Sequence, residues 1–299
     1  VYKDAGIPDG VFNFITGPGG NIEEAIFQNK KISGLVFTGS SEVGMKLLRG
    51  LSRDYPRPCI LEMGGKNPAI VTENADLDQA AEGVMKSAFG LGGQKCSACS
   101  RVYVHRKVEE EFLEKLLKNI SQIKIGDPTE RDVYLGPLIN QRAVDKFKTW
   151  TDICAKEGKI LVGGHVLAEG RFSEGFFVES TLVTSMPKDH RIFHEELFLP
   201  FLVEAPVDSL REAVEECNKV NYGLTAGIFS RDEDEIDYFF NEIESGVLYA
   251  NRRSGATTGA WPGFQPFGGW KGSGSSGKNA GGHYYLPLYM HEQIQTNVE

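Results

Sequence analysis

Short apolar runs alternate with amphipathic segments along most of the chain. Residues 35–37 form a run typical of a buried strand, and in residues 41–52 the apolar positions recur at helical spacing. The same reasoning predicts further strands at 60–61, 69–71, 160–162, 199–203, 225–229 and 247–249, and further helices at 76–89, 108–123, 142–156, 209–219 and 233–244. Strands that alternate with helices in this way favour parallel sheets with helical crossovers on both faces. The predicted class is therefore α/β.

Glycine is frequent and shapes the expectations for the loops. The chain has 35 glycines, many in adjacent pairs such as Gly64-Gly65, and paired glycines mark tight turns or close approach of the backbone to another group. This suits a ligand-binding enzyme, although a turn-rich inert domain would share the feature. Residues 262–282 are rich in glycine and serine, and we expect a long functional loop there or a disordered one.

Composition and charge argue against several classes of protein. The 40% hydrophobic and 24% charged content is typical of a globular protein in water. A net charge of −9 without any basic run argues against a nucleic-acid partner. No apolar stretch reaches the roughly 18 residues of a membrane span. Five cysteines, an odd number without the spacing of a disulfide framework, indicate a reducing, cytoplasmic compartment.

A first candidate site is the turn in the motif F-T-G-S-S-E-V-G at 37–44. Here a buried strand is followed by Gly39, Ser40 and the start of a helix. A free helix N-terminus offers backbone N–H groups to a phosphate. The alternative is that Ser40 is an ordinary N-cap without a ligand.

A second candidate is Glu62 in the motif L-E-M-G-G-K at 61–66. It lies at the end of an apolar strand, directly before two glycines. A carboxylate in an apolar cleft has a raised pKa and can act as a general base. The alternative is a glutamate at a strand end that faces water.

A third candidate is Cys96 in G-Q-K-C-S-A-C-S-R at 93–101. Small residues surround it, so that a substrate can approach its sulfur, and Lys95 or helix-end N–H groups would favour the nucleophilic thiolate. The alternative is a small buried hydrophobe. To that class we assign the remaining cysteines, Cys59, Cys99, Cys154 and Cys217.

A metal site is disfavoured. His190 and His194 are four residues apart, with Glu195 adjacent, but their surroundings indicate a loop and no third ligand has a suitable spacing. The chain also has neither a serine-hydrolase elbow nor a Walker motif.

Together the motifs resemble those of the aldehyde dehydrogenase superfamily. The resemblance rests on F-T-G-S-x-x-V-G, then L-E-M-G-G-K-N-P, then G-Q-K-C, then E-E-L-F-L-P at 195–200, N-R-R-S-G-A-T-T-G at 251–259 and Q-P-F-G-G-W-K-G-S-G at 265–274. It implies a partial Rossmann-type cofactor domain over 1–63, a complete α/β catalytic domain with a parallel sheet over 64–263, and a C-terminal loop and oligomerisation tail over 264–299. Within the family, the similarity is greatest to the 1-pyrroline-5-carboxylate (glutamate γ-semialdehyde) dehydrogenases.

The resemblance implies a role for each matching residue. Cys96 attacks the aldehyde carbon to give a thiohemiacetal, hydride leaves to the nicotinamide of NAD or NADP, and Glu62 deprotonates the water that hydrolyses the thioester. The backbone N–H of Cys96 forms half of an oxyanion hole. On the cofactor side, Glu196 holds the nicotinamide ribose, Phe198 packs beside it, and Gly39 and Ser40 form the turn next to the pyrophosphate.

The resemblance also implies how a substrate carboxylate is bound. The amide N–H groups of Gly255 and Ala256, with the hydroxyl of Ser97, would hold the α-carboxylate of glutamate γ-semialdehyde, an intermediate of proline degradation. Small residues are needed there so that backbone can reach the carboxylate. Lys95 would assist electrostatically.

Two family elements, P-W-N-F and K-P-S/A-E, have no counterpart in the chain. The chain begins with Val1, not Met, and we interpret it as an N-terminally truncated fragment. Loss of one oxyanion donor costs about 10²–10³ in kcat, so we expect this polypeptide alone to be poorly active. The end of the chain, residues 284–296, resembles the family's oligomerisation strand, which predicts a homo-oligomer for the complete protein.

Three other functions stay open at this point. The first is an aldehyde dehydrogenase for another semialdehyde or for a neutral aldehyde. The second is a coenzyme-A-acylating enzyme, which has little use for a water-activating base such as Glu62. The third is a non-catalytic protein of the same fold, which an intact Cys96 and Glu62 disfavour.

Overall fold

In the computed structural model, which describes residues 1–259 and 264–299, the chain forms an α/β fold. The α-helices are α1 (Glu23–Gln28), α2 (Ser41–Leu51), α3 (Leu77–Phe89), α4 (Glu109–Ile120), α5 (Gln141–Glu157), α6 (Leu210–Asn218) and α7 (Glu233–Glu242). The strands are β1 (Leu35–Thr38), β2 (Cys59–Glu62), β3 (Asn67–Val71), β4 (Cys99–His105), β5 (Lys159–Val162), β6 (Val166–Leu167), β7 (Phe177–Val178), β8 (Thr181–Thr184), β9 (Phe201–Val207), β10 (Tyr222–Gly223), β11 (Thr225–Phe229), β12 (Val247–Ala250) and β13 (Trp270–Lys271). The predicted class is confirmed.

The central element is a seven-stranded sheet with the order β12-β11-β3-β4-β9-β8-β5. Neighbouring strands run parallel except for β5, which pairs antiparallel with β8. Every residue of β3 and β11 is buried, as expected where helices cover both faces of a parallel sheet. One face packs against α5, α6 and α7, and the other packs against α3 and α4.

Helix prediction succeeded better than strand prediction. The helices predicted from periodicity are all present, whereas α1 was not predicted and neither were β4 and β8. The strand predicted at 199–203 begins at Phe201 and continues to Val207. Its second half contains Pro206, a residue that argues against a strand because it cannot donate to the ladder.

The N-terminal residues form a smaller parallel pair, β1 and β2, with Leu35 opposite Cys59 and Thr38 opposite Glu62. The buried guanidinium of Arg57 holds this region together by donating hydrogen bonds of 2.9–3.2 Å to backbone carbonyls of four residues, Phe27, Asn29, Ile32 and Leu51. These carbonyls lie at or after the ends of α1 and α2, where helices leave acceptors without intrahelical partners. The buried cation is therefore satisfied without an ion pair.

The glycine- and serine-rich segment is an ordered loop over its described part, 264–282. Two serine hydroxyls bind β2 and its continuation: Leu61 N donates to Ser275 Oγ (2.9 Å), and Ser273 Oγ donates to Gly64 O (2.6 Å). Glu62 lies between these contacts and is bridged to the backbone of Gly274. The loop thus fixes the end of β2, where Glu62 is located.

Of the two domain boundaries expected from the family resemblance, the structure describes the surroundings of one. The boundary at 63/64 lies between β2 and β3. The boundary at 263/264 involves a residue outside the described part of the chain.

The strand that the family resemblance predicts for 284–296 is an oligomerisation strand, and within this chain those residues pair with no other described strand. A short 3-10 helix, Leu286–Tyr289, is followed by chain without strand pairing. Pro287 lies within the helix and lacks the N–H group that a strand would donate.

Candidate active site

Glu62 lies at the carboxyl end of β2, with its side chain half-buried. Its backbone oxygen accepts a hydrogen bond from Gly39 N (3.1 Å), which continues the β1–β2 pairing by one residue. Within the described residues, the buried atom Oε2 has no hydrogen-bond partner. Burial raises the pKa of Glu62 to about 7. Such a carboxyl group is partly ionised at neutral pH and can accept a proton.

Cys96 lies in the loop between the 3-10 turn Gly90–Gly93 and β4. Burial raises the pKa of its thiol most, and the negative charges of Glu196 and Glu62 raise it further. Hydrogen bonds from the backbone N–H groups of Ser97 and of Cys96 itself act in the opposite direction. The Cys96 loop lies against the glycine pair that directly follows Glu62, because a Cβ atom at Gly65 would lie 2.7 Å from Cys96 O.

Glu196 rests on the glycine pair that follows Glu62. Gly65 N donates to Glu196 Oε1 (3.0 Å), and a Cβ atom at Gly64 would overlap with Glu196 Oε2. Only glycine allows the carboxylate to approach this closely. Burial raises the pKa of Glu196, while the Gly65 hydrogen bond and the charges of Lys66 and Lys146 act against this rise.

The remaining residues predicted for cofactor binding lie at the same end of the structure. Phe198 is exposed, at a positive φ of 58°, and lines a narrow cleft with Gly65 and Glu196. Ser40 is the N-cap of α2, and its Oγ accepts from Val43 N (3.3 Å). The capping interpretation of Ser40 is thus realised. Gly39 lies between this cap and the hydrogen bond to Glu62.

A cavity of about 470 Å³ borders the Cys96 loop. Its walls carry one ammonium group, from Lys95, and three hydroxyl groups. The lining residues are Lys95, Ser97, Ser254, Thr258, Gly259, Phe267, Ala280 and Gly281, and none of them is a carboxylate. Burial lowers the pKa of Lys95, and the neighbouring Cys96 thiolate opposes this shift. The volume lies in the range of small-molecule sites, and its charge suits an anionic ligand.

The predicted carboxylate cradle at Gly255 and Ala256 is not formed in the structure. Gly255 N donates to Arg252 O (3.2 Å) and Ala256 N donates to Gly83 O (2.9 Å). The Gly255 amide is therefore occupied within the loop and the Ala256 amide in docking the loop on α3, and Ala256 is buried in the core. The loop instead presents Ser254, Thr258 and Gly259 to the cavity.

Three buried residues that hold the Cys96 loop were missed by sequence reasoning. Asn67 donates to Cys96 O (2.7 Å) and Ala98 O (2.9 Å), while Thr257 Oγ1 bonds both Ser97 O (2.7 Å) and Ser87 Oγ (2.8 Å). A polar residue at the start of a buried strand, and a threonine within a recognised motif, were the available signals. Their partners are distant in sequence, so neither signal identified the contacts.

The histidine pair considered for a metal has other contacts. His190 Nε2 lies 3.3 Å from Glu157 Oε2, and His190 Nδ1 accepts from Ile192 N (3.1 Å). In the described ranges, no group of three His, Cys, Asp or Glu side chains could hold a metal ion. Within the same residues, no helix combines the length and apolarity needed to cross a membrane.

Comparisons with known proteins agree on one family. The model of the aldehyde dehydrogenase family matches residues 1–294. The 1-pyrroline-5-carboxylate dehydrogenase 1 of Halalkalibacterium halodurans is 39% identical over 303 residues, which cover 100% of this chain and 57% of that protein. A 1-pyrroline-5-carboxylate dehydrogenase from Thermus with bound NAD has a TM-score of 0.89 at 39% identity, covering 96% of this chain and 55% of that one.

A larger relative shares the same fold. Proline utilization A from Bdellovibrio bacteriovorus, inactivated by N-propargylglycine, has a TM-score of 0.89 at 37% identity, covering 97% of this chain and 30% of that one. The chain spans little more than half the length of the curated relatives it matches. Since the family model matches nearly all of its residues, the chain belongs to the aldehyde dehydrogenase family.

Proposed function

We propose that this chain carries the nucleophile and the general base of an NAD-dependent dehydrogenase that oxidises L-glutamate γ-semialdehyde, the open form of 1-pyrroline-5-carboxylate, to L-glutamate in proline degradation. The main support is that the Cys96 loop and Glu196 both contact the glycine pair directly after Glu62, whose carboxyl group has a pKa of about 7. The names of the relatives supply the substrate class.

The chemistry divides between the two groups. The Cys96 sulfur bonds to the aldehyde carbon. The N–H groups of Cys96 and Ser97 stabilise the negative charge that develops on the aldehyde oxygen. Release of hydride from that carbon leaves a thioester on Cys96. Glu62 then takes a proton from water, and the resulting hydroxide attacks the thioester and expels the Cys96 thiolate. Return of the proton from Glu62 gives the carboxylic acid and the free thiol.

The described residues fit NAD, which supplies a hydride acceptor when bound. The first turn of α2, after Ser40, offers backbone N–H groups suited to a pyrophosphate. The carboxylate of Glu196, fixed by Gly65 N, would accept hydrogen bonds from ribose hydroxyls. Phe198 would pack beside the nicotinamide end of NAD. No residue described here distinguishes the 2′-hydroxyl of NAD from the phosphate of NADP.

The cavity supports a substrate with a carboxylate at the end remote from the aldehyde. Lys95 supplies a positive charge, and Ser97, Ser254 and Thr258 supply hydroxyl donors. A neutral aldehyde would leave the half-buried ammonium group of Lys95 without a counter-charge. We therefore expect Lys95→Ala to raise KM for the amino-acid aldehyde more than for a neutral aldehyde of the same length.

The test measures NADH formation by the chain in the longest form that its gene encodes, with a panel of aldehydes. The proposal expects the highest kcat/KM for glutamate γ-semialdehyde, no activity in Cys96→Ser, and in Glu62→Gln a burst of NADH close to one equivalent followed by slow turnover. A burst is expected because the thioester forms but water is no longer activated. Equal rates for charged and neutral aldehydes would refute the substrate assignment, and full activity in Cys96→Ser would refute the mechanism.

The panel also separates the alternatives. Turnover in Glu62→Gln that is restored only by added coenzyme A would indicate the acylating class. A chain that neither binds NAD nor protects Cys96 from alkylation in the presence of aldehyde would be non-catalytic. We also propose a cytoplasmic homo-oligomer, which five free cysteines and exposed apolar side chains at Leu286, Met290 and Ile294 support.

A further inference from the structure

Three consecutive backbone carbonyls in the nucleophile loop are each held by a buried side chain. Asn67 Nδ2 donates to Cys96 O (2.7 Å) and to Ala98 O (2.9 Å). Thr257 Oγ1 donates to the carbonyl between them, Ser97 O (2.7 Å). We call Asn67 and Thr257 the carbonyl clamp.

Both members of the clamp are themselves fixed. Asn67 is 1% exposed and its Oδ1 accepts from Thr225 N (3.1 Å), which sets the orientation of its amide. Thr257 is 0% exposed. Because its hydroxyl proton is directed at Ser97 O, the hydroxyl of Ser87 must donate to Thr257 Oγ1 (2.8 Å), while Ser87 Oγ accepts from Thr257 N (3.1 Å).

The clamp controls the N–H groups through the planarity of the peptide bond. Each carbonyl lies in one plane with the next N–H and points the opposite way, so holding Cys96 O fixes Ser97 N–H. Holding Ser97 O fixes Ala98 N–H, which donates to Lys95 O (3.1 Å). Holding Lys95 O in turn fixes Cys96 N–H. The clamp therefore sets the directions of the N–H groups of Cys96 and Ser97, the two amides that flank the Cys96 side chain.

We propose that Asn67 and Thr257 are positioning residues, which act on the reaction by fixing the directions of the N–H groups of Cys96 and Ser97 beside the reacting sulfur. The inference rests on the proposed function only in taking Cys96 as the nucleophile. Neither residue contacts a reacting atom. Their effect is instead transmitted through three peptide planes.

The test measures alkylation of Cys96 by iodoacetamide in the intact chain across pH 6–10, with the modified peptide quantified by mass spectrometry. Asn67→Asp keeps the size and the acceptor for Thr225 N but places oxygen against two carbonyl oxygens, and Thr257→Val removes the hydroxyl. In both we expect alkylation at pH 7.5 to slow about tenfold, with the midpoint of the pH profile about one unit higher. Thr257→Ser retains the hydroxyl and should restore the profile.

A matched control separates positioning from loss of stability. Val183→Ala removes buried apolar volume from β8, lowers Tm, and should leave the alkylation profile unchanged. If Asn67→Asp and Thr257→Val lower Tm but keep the normal profile, the clamp is purely structural and the inference is wrong. Where Asn67→Asp does not fold, Asn67→Ser takes its place with the same two outcomes.

Iodoacetamide requires neither NAD nor an aldehyde, so the two proposals fail separately. An altered profile in a protein that oxidises no aldehyde would overturn the proposed function and uphold the clamp. Normal NADH formation by the parent protein, together with an unaltered alkylation profile in the clamp variants, would support the proposed function and overturn the clamp.

Discussion

A buried carboxyl group far from the cleft should make the stability of this protein depend strongly on pH. Glu204 in β9 is 0% exposed, and within the described residues both of its carboxyl oxygens are buried without a hydrogen-bond partner. Burial, and to a lesser degree the charge of Glu109, raises the pKa of Glu204 from 4.5 to about 8, against the influence of Arg106 and Lys188. The folded protein therefore holds this group protonated at neutral pH.

The sign and size of the effect follow from linkage between protonation and folding. Because the pKa is higher in the folded state, the contribution of Glu204 to stability is complete below pH 4.5 and is lost as pH rises towards 8 and beyond. At about 1.4 kcal/mol per pH unit, the loss is about 1 kcal/mol at pH 5, about 3 kcal/mol at pH 7 and 4–5 kcal/mol at pH 9. Glu204→Gln has no charge to lose, so we expect it to be more stable than the parent by these amounts.

The assay is urea unfolding of the parent and of Glu204→Gln at pH 5, 7 and 9, with the free energy of unfolding extrapolated to water. The matched control is Glu114→Gln, the same chemical change at an exposed position of α4, for which we expect no pH-dependent difference. A constant difference between the parent and Glu204→Gln from pH 5 to pH 9 would show that Glu204 is ionised in the folded protein, and would refute the reasoning.

Three further changes test the cleft and its support. Arg101→Met should destabilise the chain by about 3 kcal/mol in urea unfolding, because it leaves the carbonyls of Lys66 and Cys217 without their donor; an unchanged midpoint would contradict this. Gly64→Ala should weaken NAD binding at least about tenfold by calorimetry, since a methyl group there displaces the Glu196 carboxylate. The rate of thioester hydrolysis should rise with pH through about 7, as Glu62 loses its proton, and this rise should vanish in Glu62→Gln.

The alternation of strands and helices was predictable because parallel strands covered on both faces are nearly all apolar. Strand β4 escaped prediction because Arg101 interrupts its apolar pattern. The guanidinium is buried nonetheless, since Nε donates to Lys66 O (2.8 Å) and its other nitrogens donate to the carbonyls of Glu216 and Cys217 at the end of α6. Lys66 lies 35 residues upstream of Arg101, and Glu216 and Cys217 lie more than one hundred residues downstream, so these partners leave no local signal.

In the candidate site, too, local motifs were predictable and contacts with distant residues were not. Glu62, Cys96 and Glu196 stand in local motifs, and the fold brings the Cys96 loop and Glu196 against the glycine pair that follows Glu62. The amides of Gly255 and Ala256 were assigned to the substrate because the motif shows small residues, but hydrogen bonding by an amide depends on which carbonyl lies opposite. Here the amide of Ala256 donates to Gly83 O. Gly83 lies on α3, so this partner could not be found from the sequence of the loop.

The electrostatics of the cleft explain why amide donors matter so much to this nucleophile. Burial raises the pKa of Cys96, and ionisation of Glu62 and Glu196 raises it further, so the pH that makes Glu62 a base also makes the thiolate harder to form. Lys95 gives limited help, because burial lowers its own pKa. The N–H groups of Cys96 and Ser97 act against these shifts, and unlike Lys95 they do not change protonation. It follows that alkylation of Cys96 should become faster in Glu62→Gln at pH 8, although turnover falls, and a slower alkylation there would show that Glu62 instead activates the thiol.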